Sequence, residues 1–146
     1  MSANLSAEGA MNAADALLDP PLRAAPDTPA ILAGDRVVSY PELAAAAARA
    51  GHALRGQGLG RQDRVVLLVD DRPEFFFAYI GALKIGAVPI AVNLRLSVEE
   101  LAYILDDSGA KLLIADPEFL DLAQEAAGTA QTDPPILLTG PGGGFA

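Results

Sequence analysis

Apolar positions along this chain switch between helical spacing and short unbroken runs, and that alternation organises most of its length. Residues 30–33 and Val37-Val38 flank Gly34-Asp35, a two-residue connection of the kind that closes a hairpin. From Tyr40 the spacing becomes helical, with Leu43, Ala47, Ala50 and Leu54 on one face. Ser39 and Glu42 stand three apart, so hydroxyl and carboxylate can satisfy free amides of the first turn. Gly56 or Gly58 ends that helix. Residues 65–69 form a continuous apolar run, as a strand covered on both faces requires. Asp71 and Glu74 then open a helix through Leu83, closed by Gly86, before a strand over 87–92. Ser97 and Glu100 repeat the capping spacing ahead of Leu101, Ala102 and Leu105, and Gly109 stops this helix. A strand over 112–115, a helix from Asp116-Pro117 to Gly128 and a short strand over 136–138 complete the pattern.

Strands alternating with helices in this way predict an α/β fold with a mostly parallel sheet flanked by helices and right-handed crossovers. Three regions follow: a weakly ordered lead-in over 1–28, with a short helix from Asn12 to Leu18 before Pro20-Pro21; an α/β unit over 29–139; and a glycine-rich loop over 140–146.

Charge narrows the partners. Nineteen acidic residues against ten basic ones leave a net charge of -9, which repels phosphate backbones and anionic lipid, so nucleic-acid and membrane partners are not expected. Residues 75–92 are apolar apart from Lys84, but a mid-span lysine and the breaks at Gly86 and Pro89 argue against a membrane helix. Cysteine is absent, so no disulfide or thiolate site exists, and no basic segment marks a secretory leader. A cytoplasmic setting fits this composition.

Candidate chemistry is sparse. Gly56-Gln57-Gly58-Leu59-Gly60 follows a helix and precedes a strand, the reverse of a dinucleotide-binding turn, and reads as a helix stop. The run from Gly140 to Gly144 lacks the lysine and hydroxyl of a phosphate loop. Asp70-Asp71 sits at a strand's carboxyl end, where such sheets place ligands, but Asp71 is read as a helix cap. Asp106-Asp107 reads as a solvated helix end. His52, the single histidine, has no second histidine or cysteine with which to build a zinc site. No catalytic, cofactor-binding or metal-binding residue is assigned on these grounds.

Four segments carry a resemblance. Val38-Ser39-Tyr40-Pro41-Glu42-Leu43 resembles the first core motif of the adenylate-forming, AMP-dependent synthetase/ligase superfamily. Leu83-Lys84-Ile85-Gly86-Ala87-Val88-Pro89-Ile90-Ala91-Val92-Asn93 resembles its second. Residues 64–74 resemble the strand and acidic-Pro-Glu helix start between them, and residues 93–111 are similar to acyl-CoA and aryl-CoA ligases. Order and spacing agree over residues 12–139. The resemblance implies the N-terminal part of the large domain of an acid–CoA ligase. Such an enzyme forms an acyl-adenylate from a carboxylic acid and ATP, then a thioester with CoA, and uses magnesium. Asn12-Ala13-Ala14-Asp15 leans toward benzoate–CoA ligase-like members; medium-chain acyl-CoA ligases and adenylation domains that load a carrier protein stay open.

In that family the ATP-phosphate loop, the magnesium-binding Glu, the ribose-binding Asp and the late catalytic lysine all lie further along. None of these motifs occurs in residues 1–146, so no functional residue carries over. The chain by itself is expected to be inert and to take no cofactor, its partners being the remainder of its own large domain and a carboxyl-terminal domain. A non-catalytic α/β module that binds or scaffolds is the alternative from another class.

Overall fold

The computed structural model describes residues 12–141 and 144–145. The first eleven residues of the lead-in, and Gly142, Gly143 and Ala146 of the glycine-rich loop, lie outside the described residues. Helix α1 (Ala13–Ala24) precedes an antiparallel hairpin, β1 (Pro29–Ala33) and β2 (Arg36–Ser39), in which Ala33 pairs with Arg36 across Gly34-Asp35. Then follow α2 (Tyr40–Gly56), β3 (Arg64–Leu68), α3 (Pro73–Lys84), β4 (Val88–Ala91), α4 (Val98–Ser108), β5 (Leu112–Ala115), α5 (Leu120–Thr129) and β6 (Ile136–Leu138). The four strands β3–β6 form one parallel sheet in the order β4-β3-β5-β6.

Local chemistry sets most of these boundaries. Both capping boxes form: Ser39 accepts from the Glu42 amide while Glu42 accepts from the Ser39 amide, and Ser97 and Glu100 do the same. Gly86 and Gly109 take left-handed backbone (φ +77° and +61°) just past α3 and α4, where a β-carbon would be strained.

Three expectations need correction. Helix α1 runs through Pro20-Pro21 to Ala24 instead of stopping before them. The prolines remove donors to the carbonyls one turn earlier, but burial of Ala14 and Leu18 against α2 and α3 holds the helix across the gap. Asp71 does not cap α3. Arg72 occupies that position with no side-chain bond to the first turn, and Pro73 starts the helix. After Asp116 the chain first makes a 3₁₀ turn over Pro117–Phe119, and α5 passes Gly128 to end at Thr129. At the glycine-rich loop, residues 139 and 145 form an antiparallel bridge, the Gly140 amide donates to Gly144 O at 2.7 Å, and Phe145 packs on the core.

Period-2 alternation in β3 and β5 divides the interior into two cores. Val65, Leu67, Leu112 and Ile114 face α2 and α3; Val66, Leu68, Leu113 and Ala115 face α4 and α5. A third cluster joins α1 and the hairpin to the outer side of α2 and α3. Among the described residues no helix is long and apolar enough to cross a membrane.

Candidate functional site

The strand order places a topological switch between β3 and β5. From β3 the chain crosses to β4 on one side, then returns over β3 to β5 on the other. Crossovers leaving in opposite directions open a crevice at the carboxyl ends of the two strands, where open α/β sheets bind ligands. Asp70-Asp71-Arg72 leave β3 there, Asp116-Pro117 leave β5, and Thr139-Gly140 leave β6.

Asp116 is the centre of this end. Its side chain is fully buried, yet it sits directly after the apolar run of β5. Burying a carboxylate is costly unless it is paired and hydrogen-bonded. Here Arg72 donates to Oδ2 at 2.6 Å, the Asp70 amide donates to Oδ2 at 2.8 Å, and the Thr139 hydroxyl donates to Oδ1. Burial pushes the Asp116 carboxyl up, but Arg72, Thr139 and the Asp70 amide outweigh it, and it titrates below the usual aspartate range. The same contact, against partial desolvation, raises the Arg72 guanidinium. One side chain thus joins three strand ends to the start of α3.

Beside it lies a cleft of about 450 Å³, lined by Arg36, Arg72, Glu74, Pro117, Thr139 and Gly140 among others. Arg36 donates to Glu74 at 2.7 Å and stands 5.9 Å from the centre of the Phe77 ring. Each guanidinium in the cleft therefore has its own carboxylate, and each carries more N–H donors than that carboxylate uses. Such an arrangement can orient a ligand with planar acceptors. The Thr139 hydroxyl is tied to a carboxylate already engaged by Arg72, and among the described residues no three His, Cys, Asp or Glu are grouped to hold a metal.

The structure disperses the groups weighed from sequence. Asp70 accepts from the Asp71 amide at 2.8 Å and both side chains are exposed. His52 is exposed on α2. Asp106 does more than face solvent: it accepts from the amides of Thr132 and Gln131, which lower its pKa and tie α4 to the loop after α5. Gly56-Gln57-Gly58 ends α2, as read. What sequence reading missed is Asp116 with Arg72 and Thr139. Its only linear signal was a carboxylate at the end of a fully apolar strand, and Pro117 made it resemble a helix cap.

This fold matches known proteins. Residues 19–140 match the AMP-binding enzyme family, and the chain belongs to it. It is 45% identical over 133 residues to the 3-hydroxybenzoate–CoA ligase of Aromatoleum sp. (strain CIB), covering 90% of this chain and 25% of that one. It is 43% identical over 141 residues to the 3-hydroxybenzoate–CoA/4-hydroxybenzoate–CoA ligase of Thauera aromatica, covering 96% and 27%. A benzoate CoA ligase from Burkholderia xenovorans LB400 superposes with a TM-score of 0.79 at 26% identity, covering 88% of this chain and 26% of that one. The chain spans about a quarter of the length of the curated relatives it matches.

Proposed function

We propose that this chain forms part of an AMP-forming acid–CoA ligase acting on an aromatic carboxylic acid. The observation that carries the reading is identity above 40% to two hydroxybenzoate–CoA ligases over nine-tenths or more of the chain. In the reaction the acid's carboxylate attacks the α-phosphate of ATP, giving an acyl-adenylate and pyrophosphate; the CoA thiol then displaces AMP to form the thioester. Magnesium and a cytoplasmic setting belong to the same reading.

The described residues do not themselves fit magnesium triphosphate. Glu74, which lines the cleft, and Asp116, buried beside it, are each engaged by an arginine, and no lysine lines the cleft. The contribution assigned to this chain is therefore scaffolding. It supplies the parallel sheet and a rigid wall at the strands' carboxyl ends, against which the rest of the large domain and a carboxyl-terminal domain would pack.

A chimera tests this. Residues 12–139 replace the matching quarter of the Aromatoleum ligase, and AMP and thioester formation are followed with 3-hydroxybenzoate, benzoate or octanoate. The proposal expects aromatic-acid turnover to survive the exchange with CoA as acceptor. A folded chimera that forms neither AMP nor thioester from 3-hydroxybenzoate would defeat it.

A further inference from the structure

At the opposite end of the sheet, a second cleft of about 490 Å³ lies between the C-terminal ends of α2 and α3 and the approach to β4. Arg55 from the last turn of α2, Arg61 from the loop before β3 and Lys84 from the last turn of α3 all line it. Lys84 faces Asp15 at 3.5 Å, whereas Arg55 and Arg61 form no ion pair among the described residues. The acid nearest in sequence, Asp63, is engaged by Lys111 at 3.0 Å and by the Gly60 amide at 2.8 Å.

Cations at helix C-termini ordinarily answer the exposed carbonyls. That explanation is incomplete at this cleft. The Leu83 and Lys84 carbonyls at the end of α3 already accept the Asn12 side-chain amide, at 2.9 and 3.2 Å, and Arg61 belongs to no helix. The Arg61 stem lies against Gly86, where even a β-carbon would come within 3.3 Å of Arg61 Cγ. Next to it Gln62 takes φ +66°, an uncommon conformation for a non-glycine residue, and its amide donates to Gly86 O at 2.8 Å. A turn with defined geometry therefore presents unpaired positive charge, in a chain whose net charge is -9.

We propose that this cleft binds a multivalent oxyanion of the phosphate class, held by Arg55 and Arg61 with Lys84 as a third donor. Guanidinium N–H forks match the spacing of phosphate oxygens and bind them in pairs. Three clustered cations hold a multivalent anion more strongly than a monovalent one, because each short-range contact scales with the anion's charge. The site is independent of the ligase reading. It also differs from a glycine-and-lysine phosphate loop, because charged side chains rather than helix amides supply the donors.

The test titrates inorganic pyrophosphate into the chain and follows the amide resonances of Gln62 and Gly86, with sodium chloride at matched ionic strength as reference. Saturable shifts at both amides are expected with pyrophosphate and none with chloride. Arg55→Gln and Arg61→Gln should each weaken binding roughly threefold and together about tenfold, since exposed charge contacts are individually modest. Arg61→Lys, keeping charge and stem, should retain most of the affinity even where Arg61→Gln loosens the turn. Arg23→Gln, removing an exposed arginine paired with Asp19, should change nothing. ADP as a second probe separates sources: equal affinity assigns a free diphosphate, and tighter binding assigns a nucleotide. Shifts that chloride reproduces, or a folded double variant that binds like the parent, would overturn the site.

Discussion

The two faces of the sheet are built on different principles. On the α2–α3 side the helices meet backbone to backbone. A β-carbon at Gly81 would lie 2.8 Å from Ala47 O, the Ala50 β-carbon and the Gly51 amide nitrogen; one at Gly51 would lie 2.8 Å from Gly81 O. On the α4–α5 side, side chains fill the space instead, with Leu101, Leu105, Ala123 and Ala126 fully buried over Val66, Leu68 and Leu113. Charge divides the same way. Residues 12–92 hold nine acids and eight bases, while residues 93–133 hold nine acids against Arg95 and Lys111. One face should therefore resist added atoms and the other resist removed ones, with most of the net negative charge on the second.

The strongest challenge to that contrast is Leu105→Ala. Truncating a fully buried leucine opens a cavity, and about 3 kcal/mol should be lost. A urea midpoint close to the parent's would mean the α4–α5 face collapses to fill the hole. Next in size is Gly81→Ala, which adds one methyl where three atoms already stand too close. About 2–3 kcal/mol of destabilisation is expected from overpacking. A neutral result would show that α2 and α3 separate freely.

Asp116→Asn probes the joint between the faces. It keeps the side chain's shape but leaves Arg72 without its anion. Because the Arg72 side chain is 44% exposed, the loss should be about 2 kcal/mol rather than the larger figure for a fully buried pair. The pH dependence carries the sign. Asp116 titrates below its unfolded value, so its stabilisation is complete above the ordinary aspartate pKa of about 4 and disappears as pH falls through the folded value. The asparagine variant should lose less stability than the parent on acidification below about pH 4. Parallel acid limbs for the two proteins would remove Asp116 from that role.

Smaller effects sharpen the picture. Gly86→Val forces a β-branched residue into left-handed backbone against Arg61, and at least about 1 kcal/mol should be lost in thermal unfolding. Gly128→Ala is expected to do the opposite. It lies in α5 with open space where a β-carbon would stand, so a gain of about 0.5 kcal/mol follows from helix propensity alone. Destabilisation at residue 128 would mean that the glycines of the two faces are not as different as their surroundings indicate.

Local patterns determined a great deal. Ser39 with Glu42 and Ser97 with Glu100 marked helix starts; Gly86 and Gly109 marked helix ends; the apolar runs marked strands. Each of these signals acts within one turn or one strand, so a linear reading captures it. The family resemblance was legible for the same reason, because its motifs are contiguous. Reading Asp71 as a cap failed because the cap position of α3 falls one residue later, at Arg72, whose guanidinium is held by the distant Asp116, a pairing that a local window does not see.

Tertiary structure decided the rest. The order β4-β3-β5-β6, and with it the switch point, depends on which edge each crossover takes, which no single segment encodes. Asp116 became the hub beside the cleft only when Arg72, 44 positions earlier, and Thr139, 23 later, were carried to the same sheet end. Helix α1 outlasted Pro20-Pro21 because Ala14 and Leu18 found a core to bury in. In each case burial and distant partners outweighed the local preference, since desolvating a carboxylate or an apolar face involves more free energy than one cap or one missing helix bond.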